Sequence, residues 1–455
     1  MYAPEAFGLV NLLGSIVMLF AVFSTMGYHG AIILPKNDAT ALNILIVCFI
    51  STLVVSTIFF FIVLAGKDFI STKLNVPDLV HFLWLTPIFV FFHGIYQTLR
   101  YWNTRMRNFD NIAISRITEI FLKKAYQIPA GFMGYATGGS LIFAGLFSAI
   151  AKNLILFRNI DLKNFGIIKK KDMPIKLLSV VKKYKKFPMF SVWGELFSRL
   201  PAVLISFLII KYFGQDMLGY YGLSLMVLAL PSTLISGSII EAFSPRVAMA
   251  KHEGKHTELL EKIYVRLVAL MIFPFMIVGL FGDKLFSLVF GSEWLEAGII
   301  AQILVFRIFF EIIFSPSLSL VDIMEKQELH MIRSVASSFI AIAALLLGAY
   351  YNTFYFALWC LSLLEGVSII ILGGYMMRLI HFPFIHSMKK LSKYIFISVF
   401  LGIASYLLNN LFLTNNLYFC GIIGLAILTY YALVACWERE MARVIAKSIR
   451  SFVKL

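Results

Sequence analysis

The chain has 455 residues, of which 60% are hydrophobic and 14% are charged, and its mean hydropathy is +0.86. Because soluble domains carry about 25% charged residues, this composition excludes a soluble globule and predicts an all-α polytopic membrane protein. The formal net charge is +16. Most of the basic residues lie between apolar segments, so this charge needs no nucleic-acid partner and instead suits anionic membrane lipids.

Thirteen apolar segments follow one another along the chain, and each is long enough to cross about 30 Å of hydrocarbon. The predicted spans are 8–33, 43–65, 79–99, 112–133, 139–157, 188–212, 217–243, 263–281, 297–322, 331–350, 354–376, 394–413 and 417–437. The span 112–133 contains charged residues, but the basic segments on its flanks, 100–107 and 158–187, must lie on the same side. An even number of crossings has to separate them, so 112–133 is predicted to cross.

The segments that connect these spans alternate in charge. One set holds 30 Lys and Arg residues, and the other holds three, namely Lys67, Lys73 and Lys284. Positive charge resists translocation, so the basic side is predicted to be cytoplasmic, with the C-terminus inside and Met1 on the outer side. The tail 438–455 is predicted to be a basic interfacial helix.

The opening motif of the chain recurs 211 residues later. Both Tyr2–Gly8 and Phe213–Gly219 read aromatic, two residues, acid, one residue, apolar, Gly, and both open an apolar span. About thirty residues further on, each copy leaves its span through Pro followed by a basic residue, Pro35-Lys36 and Pro245-Arg246. The copies share one orientation, so the halves are predicted to be related by an axis along the membrane normal.

This duplication predicts two pseudo-symmetric six-helix lobes around a central cavity. The lobes are 1–157 and 188–376, joined by a basic cytoplasmic linker at 158–187. Two additional helices at 377–437 and the tail 438–455 follow. The second copy of the motif is preceded by an apolar span and the first is not, so the first lobe is expected to lack its opening helix.

Four segments resemble signatures of the Wzx-type polysaccharide flippases, a family of the multidrug/oligosaccharidyl-lipid/polysaccharide exporter (MOP) superfamily. They are YAPEAFGL at 2–9, AIILPKND at 31–38, GYYGLS at 219–224 followed by Leu230-Pro231, and FGSEWLEAG at 290–298. The resemblance covers residues 1–320. In the family the first signature follows a complete helix. A misassigned start is our preferred explanation of its absence here, and a natural thirteen-span protein is the alternative.

The resemblance implies a transporter in the bacterial plasma (inner) membrane. It would move a polyprenyl-pyrophosphate-linked oligosaccharide from the cytoplasmic to the outer leaflet for O-antigen, capsule or exopolysaccharide synthesis. Alternating access coupled to a proton or sodium gradient would drive the movement. A polysaccharide polymerase and a chain-length regulator are the implied protein partners.

Ionisable side chains within spans cost several kcal/mol unless they face water or a partner, so they are the candidate functional residues. The predicted pyrophosphate-binding residues are Arg116, Lys123, Arg199 and Arg307. The predicted ion-coupling residues are Glu365, Glu311, Glu195 and Glu119.

Each candidate also has a structural interpretation. Arg116, Glu119, Lys123 and Gln127 form one polar stripe on a helical wheel, which also fits snorkelling to the head groups. Glu195 and Arg199, like Arg307 and Glu311, are four residues apart and could simply neutralise each other on one helix. Glu365 has no basic residue within a turn of its own helix, and it could serve ion coupling or a hydrogen-bonded structural role.

Two other functions remain open. A cation-coupled multidrug exporter of the same superfamily would favour an anionic or apolar cavity, whereas the predicted cations favour an anionic substrate. A polysaccharide polymerase or ligase usually needs a sizeable outer loop, but the predicted outer segments have at most 15 residues. No catalytic residue, nucleotide motif, cofactor or metal-ligand spacing is predicted. Trp294 and Tyr220-Tyr221 are predicted to anchor helices in an aromatic belt.

Overall fold

Helices form every regular element of the described part of the chain, as expected where lipid offers no partner for backbone polar groups. The computed structural model describes residues 2–74, 76–158, 173–231, 256–323, 328–379, 382–411 and 416–437. The helices are α1 Pro4–Ala21, α2 Asp38–Leu74, α3 Val80–Leu83, α4 Thr86–Arg105, α5 Phe109–Phe132, α6 Gly138–Phe157, α7 Met173–Lys183, α8 Val192–Phe213, α9 Gln215–Pro231, α10 His256–Phe290, α11 Leu295–Ile323, α12 Glu328–Tyr350, α13 Phe354–Leu379, α14 Phe384–Leu411 and α15 Asn416–Trp437.

The membrane architecture predicted from composition is confirmed. Within the described residues, ten helices are long and apolar enough to cross a membrane, and a bent pair, Pro77–Leu83 with Thr86–Arg105, makes an eleventh. The other two of the thirteen predicted spans are α5, whose charged residues keep it below that apolar threshold, and α9, which is described only as far as Pro231.

The chain divides into two compact units. The first unit comprises Met1–Gly222 with His330–Phe354, and the second comprises Leu223–Leu329 with Tyr355–Leu455. Helix α8 and the start of α9 therefore belong to the first unit. The lobe boundaries predicted from the sequence stay a prediction, and most of the predicted linker and the tail 438–455 lie outside the described residues.

The first unit has an apolar core at its predicted cytoplasmic end. Buried side chains of a 3₁₀ turn at Tyr28–Ile33 meet those of α2, α4 and α6 there. Val180 of α7 and Tyr184, which directly follows that helix, complete this core, and both are under 10% exposed. A short π-helix at Phe187–Ser191 then leads into α8, which lies along α1, so that Trp193 makes an edge contact with Phe23.

Arg105 at the end of α4 holds the segment AIILPKND in place. Its guanidinium donates hydrogen bonds to the backbone carbonyls of Ile32 (3.2 Å) and Pro35 (2.7 Å). The same group pairs with the Asp38 carboxylate at 2.7 Å. The carbonyls left free where the 3₁₀ turn ends are thus satisfied by one buried side chain, and Asp38 neutralises it at the start of α2.

The second unit is organised around the long helix α10. It bends at Phe281, where the backbone leaves helical values, and it contains Pro274. Phe273 stacks on Tyr430 of α15 with ring centroids 4.7 Å apart, and the Tyr430 hydroxyl donates to the carbonyl of Ala269 at 2.6 Å. The last helix is therefore fixed to α10 by both ring packing and a buried hydrogen bond.

The segment FGSEWLEAG joins α10 to α11 through close contacts. Gly282 and Gly298 face each other so closely that a Cβ on Gly282 would lie 2.7 Å from the Gly298 carbonyl oxygen. The Ala297 carbonyl accepts a hydrogen bond from Ser224 at 2.6 Å. Trp294 is only 4% exposed and Tyr221 only 5%. Both are packed within protein, so the predicted aromatic belt is wrong for these two side chains.

Candidate functional site

A group of basic side chains lies within the first unit, and we call it the basic cluster. It consists of His29, His93, Arg100, Lys152 and Arg199. His93 lies within electrostatic reach of the other four, and His29 within reach of both arginines. The residues come from the 3₁₀ turn after α1 and from α4, α6 and α8, so the fold brings together side chains that lie up to 170 positions apart.

Helix α4 supplies the centre of this cluster. His93, Gln97 and Arg100 are spaced four and three residues apart, so they share one face of the helix. The guanidinium of Arg100 lies 5.1 Å from the ring centre of Tyr101 and 5.9 Å from that of Tyr96. Among the described residues no carboxylate forms an ion pair with Arg100. Within the described ranges, its charge lies against ring faces and is not paired with a carboxylate.

Lys152 connects the cluster to α5. Its ammonium lies 4.0 Å from the ring centre of Tyr96 and 2.7 Å from a carboxylate oxygen of Glu119. Lys123, one turn further along α5, is within electrostatic reach of both Lys152 and Glu119. The polar stripe predicted on α5 is thus split, since Glu119 and Lys123 border the cluster while Arg116 is exposed.

Gln127, the last residue of that stripe, is buried and accepts a hydrogen bond from Lys124 at 3.2 Å. It lies outside the cluster.

On α8 the predicted pairing of Glu195 with Arg199 is confirmed. A guanidinium nitrogen of Arg199 lies 2.6 Å from a Glu195 oxygen, and both side chains are about one-quarter exposed. The pair is therefore neither sealed in a core nor free in solvent. Arg199 remains close enough to both histidines to affect them electrostatically.

The cluster carries an excess of positive charge. Arg100, Arg199 and Lys152 are accompanied by two carboxylates, Glu119 and Glu195, and Lys123 adds a further cation at the border. All four cations are half-buried. Half-buried cations interact with an anion more strongly than surface cations, because solvent screens them less. The arrangement suits a ligand with two negative charges.

The second unit contains a separate buried ion pair. Arg307 on α11 donates to Glu365 on α13 at 2.5 Å, and the two side chains are 11% and 6% exposed. Helices α11 and α13 pack closely at this pair. Gly366 leaves room for the ring of Phe306, and Ser362 donates to the Ile303 carbonyl at 2.7 Å. Glu365 is compensated across helices, although its own helix offers no basic residue nearby.

Glu311 lies one turn beyond Arg307 on α11 and is half-buried. Of the eight predicted site residues, the structure thus brings Lys123, Glu119, Glu195 and Arg199 to the basic cluster. It joins Arg307 to Glu365 elsewhere.

Sequence reasoning missed His29, His93, Arg100 and Lys152. Arg100 was counted with a basic connecting segment, and the search for metal-ligand spacing marked neither histidine. The spacing of His93, Gln97 and Arg100 along one face of an apolar helix was the available signal. Within the described residues, no group of three or more His, Cys, Asp or Glu side chains could hold a metal ion.

Comparisons with known proteins agree with this architecture. A family model described as "Polysaccharide biosynthesis protein" matches residues 1–299. The teichuronic acid biosynthesis protein TuaB of Bacillus subtilis (strain 168) is 21% identical over 296 residues, which is 64% of this chain and 59% of TuaB. The aligned part thus spans about three-fifths of that curated relative.

Two solved structures share the fold at low sequence identity. The lipid II flippase MurJ in an inward closed conformation aligns with a TM-score of 0.67 and 14% identity, over 97% of this chain and 94% of that chain. An inward-facing multidrug resistance MATE family transporter of the MOP superfamily aligns with a TM-score of 0.59 and 15% identity, over 83% and 91%. These alignments show that the chain shares the fold of these two transporters.

Proposed function

The chain belongs to the polysaccharide biosynthesis protein family, and from that premise we propose that it is a lipid-linked oligosaccharide flippase. It would carry a polyprenyl-pyrophosphate oligosaccharide from the cytoplasmic to the outer leaflet of a bacterial inner membrane by alternating access. The observation that carries this proposal is the basic cluster, with its excess of positive charge inside an apolar unit.

The chemistry of the pyrophosphate supports this assignment. A pyrophosphate diester presents several acceptor oxygens, and arginine binds such groups through two parallel hydrogen bonds. Arg100 lies against tyrosine rings, and no carboxylate of the described segments pairs with it, so its donors are available to an anion. Arg199 is occupied by Glu195, and a phosphate would compete for it.

That competition suggests how ion coupling works in this chain. When the pyrophosphate takes Arg199, Glu195 loses its cation and gains affinity for a proton or sodium ion. Release of the substrate reverses the exchange. The same reasoning applies to Lys152 and Glu119, which form the second pair of the cluster. The carboxylates of α11 and α13, Glu311 and Glu365, stay candidates for coupling in the second unit.

A multidrug exporter is the second candidate, because a MATE transporter shares the fold. A cationic drug would be repelled by the basic cluster, whereas an anionic lipid carrier would be attracted. The cluster therefore favours the flippase.

The decisive experiment measures surface polysaccharide in a host whose own flippase gene is deleted. Arg100→Ala and Arg199→Ala should each lower export about 10- to 100-fold, because a charged hydrogen bond contributes about 1.5–3 kcal/mol. Arg158→Ala removes an exposed arginine at the end of α6 and should leave export unchanged. Full export by both cluster variants at normal protein levels would reject the site.

A further inference from the structure

The two copies of the duplicated motif contact each other. Gly8 at the start of α1 lies against the backbone carbonyl of Gln215, and a Cβ on Gly8 would collide with that oxygen. Gly219 on α9 lies in the same way against the carbonyl of Pro4. A Cβ on Gly219 would also lie only 3.1 Å from the backbone nitrogen of Gly8. The two helices therefore cross with backbone against backbone.

The contacts are reciprocal under the offset of 211 residues. That offset relates Pro4 to Gln215 and Gly8 to Gly219. The contact of Gly8 with Gln215 is thus equivalent to the contact of Gly219 with Pro4, with the roles of the two copies exchanged. Such an exchange characterises a two-fold interface, in which each member contacts the equivalent position of the other.

Asn11 and Gly222 lie next to the centre of this exchange. They are themselves related by the offset of 211, and a Cβ on Gly222 would lie 2.7 Å from the Asn11 side-chain carbon Cγ. The Asn11 amide donates to the Leu218 carbonyl at 3.4 Å. One further polar contact joins the helices, from the Gln215 amide to the Glu5 carbonyl at 2.7 Å.

Both copies lie in the first unit, but they are attached to it at different points. The first copy is tied to the first half, since the Tyr2 hydroxyl donates to the Gln127 carbonyl of α5 at 2.7 Å. The second copy begins at the junction of α8 and α9, where Gly214 has a φ of +97° that side chains rarely adopt. A crossing of small residues such as this one binds mainly through packing. Such a contact can form and separate without breaking an ion pair.

We propose that this crossing is a reversible latch that closes the transport path at the predicted outer side of the membrane. The inference rests on the proposed flippase function, because an exported oligosaccharide must leave on that side. Direct backbone contact excludes water and sugars while the latch is closed. The carboxylates of Glu5 and Asp216, one in each copy, lie close enough to repel each other, which limits the strength of the contact. Each copy of the duplicated motif thus supplies one of the two helix segments that form the latch.

A disulfide across the latch tests this proposal. The test uses a chain whose four native cysteines are replaced. In it, Asn11→Cys and Gly222→Cys would bring two Cβ atoms close to the separation of about 4 Å that a disulfide needs. The control pair is Leu9→Cys with Gly138→Cys, whose Cβ positions are 3.4 Å apart between α1 and α6. Both control positions lie in the first half, so their disulfide should not block transport.

The expected result is efficient cross-linking of both pairs, measured as loss of thiols reactive with a polyethylene-glycol maleimide. Oxidation of the latch pair should lower surface polysaccharide export at least tenfold, and a reductant should restore it, which also shows that the variant is folded. The control pair should export normally when oxidised.

Two results would overturn the latch. One is a low cross-linking yield for the Asn11/Gly222 pair, and the other is normal export by the cross-linked protein. If the cysteine-free parent restores no polysaccharide at all, the proposed function fails instead. In that case the cross-linking yield alone decides whether the contact exists.

Discussion

Arg307 and Glu365 are buried together in the second unit. Neither side chain is exposed enough for solvent to stabilise its charge if the other were removed. Removing one member of a buried ion pair typically costs about 3–5 kcal/mol, because the other charge is left uncompensated. We therefore expect Glu365→Ala to lower the thermal unfolding temperature and the yield of the purified protein clearly. The unfolding of detergent-solubilised protein measures this.

The double variant Arg307→Gln with Glu365→Gln separates a structural role from ion coupling. If the pair is structural, the double variant should be more stable than Glu365→Ala and should keep export. Recovered stability with lost export would instead assign the pair to the transport cycle.

The charged residues also show what the sequence could and could not predict. The pair Glu195–Arg199 followed from a spacing of four on one helix, because local helix geometry determines which side chains meet. The partner of Glu365 lies 58 positions away on α11, and the members of the basic cluster come from four separate elements. Such contacts depend on how helices pack, which hydropathy does not encode.

At the scale of single elements, Arg105 fastens the 3₁₀ turn at Tyr28–Ile33 to the ends of α2 and α4. Arg105→Ala leaves carbonyls of this turn without a donor and frees Asp38. Hydrogen bonds to a charged group contribute about 1.5–3 kcal/mol, so we expect a loss of stability of that order and faster proteolysis near residue 35. Lys36→Ala is the control, because Lys36 is exposed, and equal sensitivity of both variants would contradict this role.

The crossing of α10 with α11 depends on Gly282 and Gly298. Gly298→Val would force these helices apart, and overpacking of this kind costs about 1–3 kcal/mol. A lower unfolding temperature than that of the parent is the expected outcome.

The matched control for that crossing is Gly421→Ala on α15, where a Cβ would meet open space. It should stabilise slightly, because glycine in a helix interior costs about 0.5–1 kcal/mol relative to alanine. An unchanged unfolding temperature for Gly298→Val would show that the helices do not approach as closely as described.

For the whole molecule, hydropathy was sufficient to predict an all-helical membrane protein, because every spanning segment must satisfy its own backbone. Element boundaries were less accurate. Helix α2 continues to Leu74 and α10 begins at His256, well beyond the predicted spans, since helices extend past the hydrocarbon where hydropathy has already fallen.

The orientation of the whole chain can be tested with reporter fusions. Green fluorescent protein fused after Arg107 or Arg158 should fluoresce, and alkaline phosphatase fused after Tyr135 should be active, because the first two positions lie on the predicted cytoplasmic side. The same fusions test whether α5 crosses the membrane despite its charges. If the fusions after Arg107 and after Tyr135 report the same side of the membrane, α5 lies along the surface and does not cross.

The reciprocal crossing of α1 and α9 has a further consequence for how the sequence can change over time. Because Gly8 meets Gln215 and Gly219 meets Pro4, the two copies of the motif cannot diverge independently. A bulkier residue in one copy has to be accommodated by its counterpart in the other. In related chains, substitutions at positions 4, 8, 215 and 219 should therefore occur together, and the similarity of the two copies would persist long after the rest of each half has drifted apart.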